Sequence, residues 1–192
     1  MRFLKLILII LVSVNIIFTS ENPFKIIYKS PVKLWQKISY STPILDCQFE
    51  PSCSNYFLHA VDSTGILPGT IIGADRIIRC NPAARHYQLQ NPKSKFYDDG
   101  RLIDYVTYKK NINPKYKFLK YAVIPGLGRY KLGREIDGFF SFLFVINSLY
   151  KGINHFENNP YKSGIYLSIG TLFWAADFYG TWRISNSNSP NS

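Results

Sequence analysis

The sequence is poor in cysteine and in acidic residues. Its three cysteines, Cys47, Cys53 and Cys80, cannot all pair within one chain, which argues against a disulfide framework and allows at most one bridge, Cys47–Cys53 or Cys53–Cys80. Reduced thiols in a cytosol-facing domain are equally consistent. Twelve acidic residues stand against 23 lysines and arginines in 192 residues, and the net charge is +11. A basic chain favours anionic partners, and because the apolar residues concentrate at both ends, lipid is favoured over nucleic acid.

The sequence also lacks the common catalytic motifs. It contains no G-x-S-x-G, no H-E-x-x-H and no glycine-rich phosphate loop. Cys53 is predicted at a helix N-terminus, where the helix dipole lowers the pKa of a thiol, but a nucleophile also needs a base. His59 lies on another face of the same predicted helix, and His86 could approach only through the fold. We therefore predict no catalytic residue and no enzyme activity.

The spacing of the cysteines argues against a metal centre. Five residues separate Cys47 from Cys53 and 26 separate Cys53 from Cys80, whereas structural zinc ligands usually come in pairs about two to four residues apart. Neither candidate histidine stands close to a cysteine in the chain, so we predict no metal and no cofactor. The thiols are expected to be structural and to pack where two helices cross, with Phe49 and Tyr56 closing a small core.

Residues 1–23 are predicted to form a hydrophobic leader or anchor. An uncharged run from Leu6 to Ser20 follows Arg2 and Lys5, and at about 15 residues it suits the core of a signal peptide better than a full membrane span. Phe18 stands where a cleavage site needs a small residue. A cleaved signal and an uncleaved anchor therefore remain as alternatives.

Residues 24–40 show a basic amphipathic pattern. Lysines recur at every fourth position with apolar residues between them, and Pro31 is expected to divide the segment into two short helical pieces. Such a segment suits an anionic membrane surface, where each lysine contributes about 1 kcal/mol. The alternative is a solvated lysine face that covers a small core. The lysines are Lys25, Lys29, Lys33 and Lys37.

Two short helices are predicted next, over residues 53–64 and about 66–80. Ser52 is a natural N-cap for the first helix, Gly65 ends it, and Pro68 suits the first turn of the second. Two helices joined by so tight a turn form an αα-hairpin.

Three arginines on or near the second helix are candidates for binding an anion or a partner. Arg76 and Arg79 stand three residues apart on the helix, Arg85 follows, and paired guanidinium groups match the geometry of phosphate and carboxylate. The alternative is a solvated helix face with one surface ion pair between Asp75 and Arg79.

Residues 94–108 hold an Asp-Gly turn that suits a small β-hairpin, and residues 109–120 form a basic linker.

The last third of the chain is predicted to be a transmembrane helical hairpin. Two apolar runs then follow, over 138–156 and 163–182, with a polar turn between them. The alternative is a buried helical pair. Because positive charge concentrates over 109–134, this stretch and the C-terminus are expected in the cytoplasm and the 157–162 turn outside.

Three separate blocks of the sequence resemble a known family. C-x-F-x-P-S-C-S-x-Y at 47–56, R-x-x-R-C-x-P at 76–82 and W-Q-x-I-S at 35–39 are similar to the YidD-type membrane protein insertion efficiency factors of bacteria, over about residues 28–87. The resemblance implies a small, basic, non-enzymatic protein at the cytoplasmic face of the inner membrane, with YidC-type insertase and Sec translocon components and nascent membrane proteins as partners. The family has His-Pro-Trp after its third cysteine, where this chain has Asn81-Pro82-Ala83. The family motif residues are Phe49, Pro51, Ser52, Ser54, Tyr56 and Pro82.

The C-terminal third resembles a small bacterial membrane module with the signature P-G-L-G-Q-x-Y-x-G. Arg129 replaces the glutamine, and Asp177 near the end also fits the module. A carboxylate within a span is costly alone, so Asp177 is expected to pair with Arg129 or Arg134 at the same membrane face. The matching residues are Pro125, Gly126, Gly128 and Gly133, and Tyr130 stands one residue before the tyrosine position of the signature.

The predicted fold class is therefore mainly α, a small helical-hairpin domain with three cysteines followed by a transmembrane helical hairpin. The predicted domains are the leader at 1–23, an insertion-factor-like domain at 24–92, the linker region at 93–120, the membrane module at 121–184 and a disordered tail at 185–192. The predicted function is a non-catalytic aid to membrane protein insertion, bound to anionic lipid and not to nucleic acid. The alternative is an exported envelope protein with one disulfide that binds lipid or serves a structural role.

Overall fold

The computed structural model describes residues 23–41, 47–90, 95–106 and 116–187. The predicted leader except Pro23, the last five residues of the predicted tail, and residues 93–94 and 107–115 of the predicted linker region lie outside these ranges. Most of the described residues are helical, which confirms the mainly α prediction. The elements in chain order are α1 Pro23–Ser39, β1 Phe49–Glu50, α2 Cys53–Thr64, α3 Ile66–Arg79, α4 Ala84–Leu89, β2 Lys95–Phe96, β3 Leu102–Ile103, a 3₁₀ helix Tyr116–Val123, α5 Leu127–Lys131, α6 Glu135–Asn154 and α7 Pro160–Ser187.

Helix α1 is continuous, and the predicted break at Pro31 is wrong. Proline has no backbone N–H, so the carbonyl of Ile27, one helical turn earlier, loses its normal donor. The hydroxyl of Ser30 donates to that carbonyl at 2.7 Å. Because this hydrogen bond replaces the missing one, the helix runs through the proline.

Helices α2 and α3 are joined by a single residue, Gly65. The hydroxyl of Ser52 accepts the backbone N–H of Asn55 and caps α2, and Gly65 adopts φ 95°, which ends the helix. At Gly69 of α3 an added Cβ would lie 2.5 Å from the backbone of Val61. The two helices therefore cross at backbone contact.

A three-stranded sheet lies beside this hairpin in the order β1-β3-β2. Strands β2 and β3 pair antiparallel around the Asp-Gly turn, which confirms the predicted β-hairpin. Strand β1 pairs parallel with β3, and Phe49 lies opposite Leu102. The short parallel pairing has no sequence signal, and it ties the first cysteine segment to residues 95–106.

The two long C-terminal helices differ in character. Among the described residues, α6 is the one helix long and apolar enough to cross a membrane. The predicted second span, over 163–182, lies in α7 and does not reach that apolarity, because the helix includes polar residues such as Asp177 and Thr181, both buried. The predicted two-span hairpin is therefore corrected to one candidate span. The predicted tail also begins too early, since α7 continues to Ser187.

The core joins the hairpin to the C-terminal helices. Ala74 and Ile78 of α3 form one buried cluster with Ala176 of α7, and Phe144 of α6 packs against it. In this cluster the rings of Phe144 and Phe173 stack with centroids 4.8 Å apart. The predicted insertion-factor-like domain and the predicted membrane module thus share a hydrophobic core.

Candidate functional site

The three cysteines come together although they are far apart in sequence. Cys47 precedes β1, Cys53 is the first residue of α2, and Cys80 follows the last residue of α3. Their sulfur atoms all lie within 4.8 Å of one another. All three are free and half-buried, and they pack against a core that contains Phe49 and Leu102. The expectation that Phe49 closes this core agrees with the packing.

Hydrogen bonds connect the three thiols. The Sγ atoms of Cys47 and Cys53 are 3.4 Å apart, and the backbone N–H of Cys53 also donates to Cys47 Sγ, at 3.3 Å. The side chain of Gln48 donates to Cys80 Sγ at 3.7 Å. The hydrogen bond from Cys53 lowers the pKa of the Cys47 thiol, and the same pairing raises the pKa of Cys53. The pairing therefore favours the charged form at Cys47 over the charged form at Cys53.

Arg76 organises the family motif from inside the fold. Its guanidinium group stacks on the rings of Phe49 and Tyr56, 3.8 and 4.5 Å from their centroids. It donates to the carbonyl of Pro51 at 3.2 Å and to the carbonyl of Asp104 at 3.0 Å. The side chain is fully buried. Tyr56 itself belongs to a second core cluster with Ala60 and Ile72, not to the cysteine core.

The predicted anion-binding role of Arg76 and Arg79 is corrected by this burial. Both arginines form ion pairs with the carboxylate of Asp104, and Arg79 also donates to Asp75 at 3.0 Å. The i, i+4 pairing of Asp75 with Arg79 is confirmed, but it lies in the interior and not at a solvated face. Burial acts to raise the pKa of the Asp104 carboxyl, yet Arg79 and Arg76 outweigh it and hold the pKa below its usual value. Arg85 alone of the three arginines is exposed.

A second buried charge network joins α3 to the C-terminal helices. Arg129 donates to Asp177 at 2.8 Å and to Asp75 at 2.6 Å, and all three side chains are fully buried. The backbone N–H of Gly126 donates to the other oxygen of Asp177 at 2.9 Å, and Arg183 donates to Asp75 at 3.2 Å. The predicted pairing of Asp177 with Arg129 is therefore confirmed. The sequence did not indicate that Arg129 also pairs with Asp75.

The asparagine that departs from the family pattern takes part in the same junction. Asn81 is buried and donates to Asp137 at 2.6 Å, and Arg134 donates to the other oxygen of Asp137 at 2.8 Å. The hydroxyl of Tyr87 accepts the backbone N–H of Ile136 at 2.9 Å. The start of α6 is thus fixed to the segment that follows Cys80.

Helix α1 directs its polar side toward the folded domain. Lys25, expected on an open surface, is buried and lies 3.5 Å from the carbonyl of Asp62, while Lys29 pairs with the carboxylate of Asp62 at 2.6 Å. Gln36 donates to Ser54 at 3.1 Å and to Asn55 at 2.8 Å. The predicted alternative of a solvated lysine face over a small core does not fit this arrangement.

The opposite side of α1 is an exposed apolar stripe. Its side chains recur at helical spacing and each is more than half exposed, from 51% to 69%. Lys33 and Lys37 of the same helix are also exposed. We call this surface the α1 stripe, and its residues are Phe24, Ile27, Leu34, Trp35 and Ile38.

The remaining module residues lie at the bend before α6. Gly126 has φ 80°, and a Cβ there would lie 2.0 Å from the carbonyl oxygen of Gly138. Gly128 packs against Thr181 of α7, where a Cβ would approach to 2.6 Å, whereas Gly133 has φ 77° in open space. Tyr130 is exposed, and Pro125 precedes the bend.

The N-terminal part of the chain is similar to known bacterial proteins. Residues 24–88 match the family model described as "Putative membrane protein insertion efficiency factor". A relative of that description from Thermotoga neapolitana is 43% identical over 56 residues, which cover 28% of this chain and 68% of the relative. One from Paramagnetospirillum magneticum is 34% identical over 61 residues, or 32% of this chain and 68% of the relative. A third, from Thermotoga sp. strain RQ2, is 51% identical over 39 residues, 20% of this chain and 48% of the relative. No solved structure matches the chain significantly.

Proposed function

Since the chain belongs to the family of membrane protein insertion efficiency factors through its residues 24–88, we propose that it is a non-catalytic accessory factor that aids the insertion of integral membrane proteins. Its proposed partners are YidC-type insertase and Sec translocon components, nascent membrane proteins and anionic lipids. Nucleic acid is not among them.

The orientation of α1 carries the proposal. A surface helix of a soluble domain normally turns its apolar side to the core and its polar side to water. In α1 the polar residues Lys25, Lys29 and Gln36 face α2, and the α1 stripe faces outward. An exposed apolar stripe on a helix that also carries the exposed lysines Lys33 and Lys37 suits the interface of a bilayer with anionic lipids.

The buried junction supports the placement of this surface at a membrane. Helix α6 is a candidate span with exposed apolar side chains such as Phe139, Phe142 and Ile146. The network of Arg129, Asp75 and Asp177 fixes the helices of the last third to α3. A span in α6 therefore anchors the family domain directly, without a flexible tether.

The finer location is also part of the proposal. The domain lies at the cytoplasmic face of the bacterial inner membrane, because lysine and arginine concentrate before α6 and not after it. The C-terminal third acts as a P-G-L-G-Q-type membrane module, in which Arg129 replaces the glutamine and neutralises Asp177.

A depletion experiment tests the function. In cells depleted of the protein, crosslinking of a nascent inner-membrane protein to the insertase, and its insertion, should fall, and the wild-type chain should restore them. Leu34→Asp in the α1 stripe should restore them poorly. Leu67→Asp is the matched control, because Leu67 is as exposed as Leu34, 66% against 61%, but lies on α3. Insertion that is unchanged by depletion refutes the proposal.

A labelling experiment tests the location and the exported alternative. The half-buried thiols give a membrane-impermeant thiol reagent a target. Labelling only after the cells are permeabilised supports the cytoplasmic face. Labelling of intact cells, or a Cys47–Cys53 disulfide in the isolated protein, supports export. The two sulfur atoms are 3.4 Å apart, which is close enough for such a disulfide to form.

A further inference from the structure

The three-cysteine cluster has the composition of a metal site. We propose that Cys47, Cys53 and Cys80 together bind one thiophilic d¹⁰ metal ion, Zn²⁺ or Cu⁺. Thiolate sulfur is the ligand that selects these ions in proteins. The proposal is independent of the insertion function, but it requires reduced thiols.

The distances between the sulfur atoms suit a single ion. With metal–sulfur bonds of about 2.3 Å, three sulfurs around one ion lie about 3.8 to 4.0 Å apart. The three Sγ atoms lie within 4.8 Å of one another, and those of Cys47 and Cys53 are 3.4 Å apart. Shifts of less than about 1 Å bring all three to bonding distance.

The surroundings of the cluster support thiolate ligands. The first turn of α2 directs the backbone N–H of Cys53 at Cys47 Sγ, and the side-chain amide of Gln48 donates to Cys80 Sγ. Hydrogen bonds of this kind around a ligand orient it for a metal. Arg76, whose guanidinium binds the carbonyl of Pro51 two residues before Cys53, adds a fixed positive charge beside the cluster. A divalent ion and this cation offset most of the charge of three thiolates.

Three cysteine ligands leave one coordination position open on a four-coordinate ion and none on a three-coordinate ion. In the part of the chain that the structure describes, no histidine, aspartate or glutamate joins the three sulfurs within the same distance. Zn²⁺ would take water or an external donor as its fourth ligand, whereas Cu⁺ needs no fourth ligand. Each thiol releases its proton to solvent as its sulfur–metal bond forms, so binding weakens as pH falls.

The proposed site departs from the prediction of no metal, which rested on the separation of the cysteines along the chain. A structural zinc site in a short chain uses paired ligands because neighbours are close in any fold. Here Cys80 reaches the other two because α2 and α3 form a hairpin that returns the chain to its start. An ion would join the beginning of that hairpin to its end.

Metal analysis of the full chain tests the proposal. The protein is purified in detergent under reducing conditions without chelator, and its metal content is measured by mass spectrometry, which distinguishes zinc from copper. We expect about one ion per chain. Titration of the metal-free protein, prepared with a chelator, with Co²⁺ should produce thiolate-to-metal charge-transfer absorption. A chromophoric chelator added to the purified protein should compete for the ion that it carries.

Variants identify the ligands. Cys80→Ser should lose the ion and the cobalt absorption, and Gln48→Leu should lower the affinity about tenfold by removing a donor to a ligand. Ser54→Ala, which changes a neighbour of Cys53 but no thiol, should keep both. If circular dichroism shows that Cys80→Ser does not fold, the chelator competition on the wild-type chain still tests whether the protein binds the ion. The proposal would be overturned by three freely titrating thiols with no bound ion together with no cobalt absorption at saturating Co²⁺. A Cys47–Cys53 disulfide that persists under the reducing conditions would also overturn it.

Discussion

Removal of the Arg129 guanidinium should detach the C-terminal helices from the family domain. Arg129, Asp75 and Asp177 are all fully buried, and Arg129 donates to both carboxylates. A buried pair that loses one partner costs about 3–5 kcal/mol, because the remaining charge stays in a low-dielectric interior without compensation. We therefore expect Arg129→Met to lower the free energy of unfolding by about that amount.

The loss should not fall equally on the two carboxylates. Asp75 keeps Arg79 and Arg183 as partners, whereas Asp177 keeps the backbone N–H of Gly126. Most of the cost should therefore come from Asp177, and the double variant Arg129→Met, Asp177→Asn should recover about half of it or more, since the uncompensated charge is gone.

Thermal unfolding in detergent, followed by circular dichroism, measures these differences. For a chain of this size about 3–5 kcal/mol corresponds to a Tm lower by roughly 6–20 °C. Lys29→Met is the control, because its partner Asp62 is half exposed and such a surface pair contributes about 1 kcal/mol or less. If Arg129→Met melts with the wild type, or the double variant melts below the single one, the junction is not held by this network and the reasoning fails.

Three further predictions follow from the same geometry. Arg79 and Arg76 hold the pKa of half-buried Asp104 below its unfolded value of about 3.9, so its stabilisation is complete above that pH and is lost as pH falls below it. Asp104→Asn should flatten the acid side of the stability curve in unfolding measured from pH 6 to pH 2, and an unchanged slope would contradict the ion pairs. Gly126→Ala should lower the Tm clearly more than Gly133→Ala, because both glycines have positive φ but a Cβ meets a backbone oxygen only at the first; equal losses would exclude the close approach. Asn81→Leu should cost about 1–3 kcal/mol, since buried Asp137 loses a hydrogen-bond donor; a wild-type Tm for this variant would show that the contact is unimportant.

The local elements could be read from the residues. Ser52 and Gly65 bound α2 because capping and positive φ are properties of a few neighbouring residues. The Asp-Gly turn likewise specified the β-hairpin, which pairs as expected. Pro31 is an exception of the same local kind, because the hydroxyl of Ser30 replaces the hydrogen bond that proline removes.

Contacts between distant segments could be predicted only where charge required a partner. Asp177 stood in an apolar run, so a buried cation was needed, and Arg129 supplies it. No such signal marked Asp104, which lies just past a two-residue strand and neutralises Arg76 and Arg79. Because Asp104 was not recognised as their partner, Arg76 and Arg79 were predicted to lie at the surface.

The sequence by itself determined the helical class, the family of residues 24–88 and the cysteine motif, because periodicity, caps and motif order are carried by residues close in the chain. The tertiary structure alone decided which face of α1 is exposed, that Arg76 and Arg79 are interior, and that three distant sulfurs lie within 4.8 Å of one another. The physical reason is that burial and pairing depend on what packs against a side chain. Those neighbours come from helices up to about a hundred residues away, as Arg183 does for Asp75.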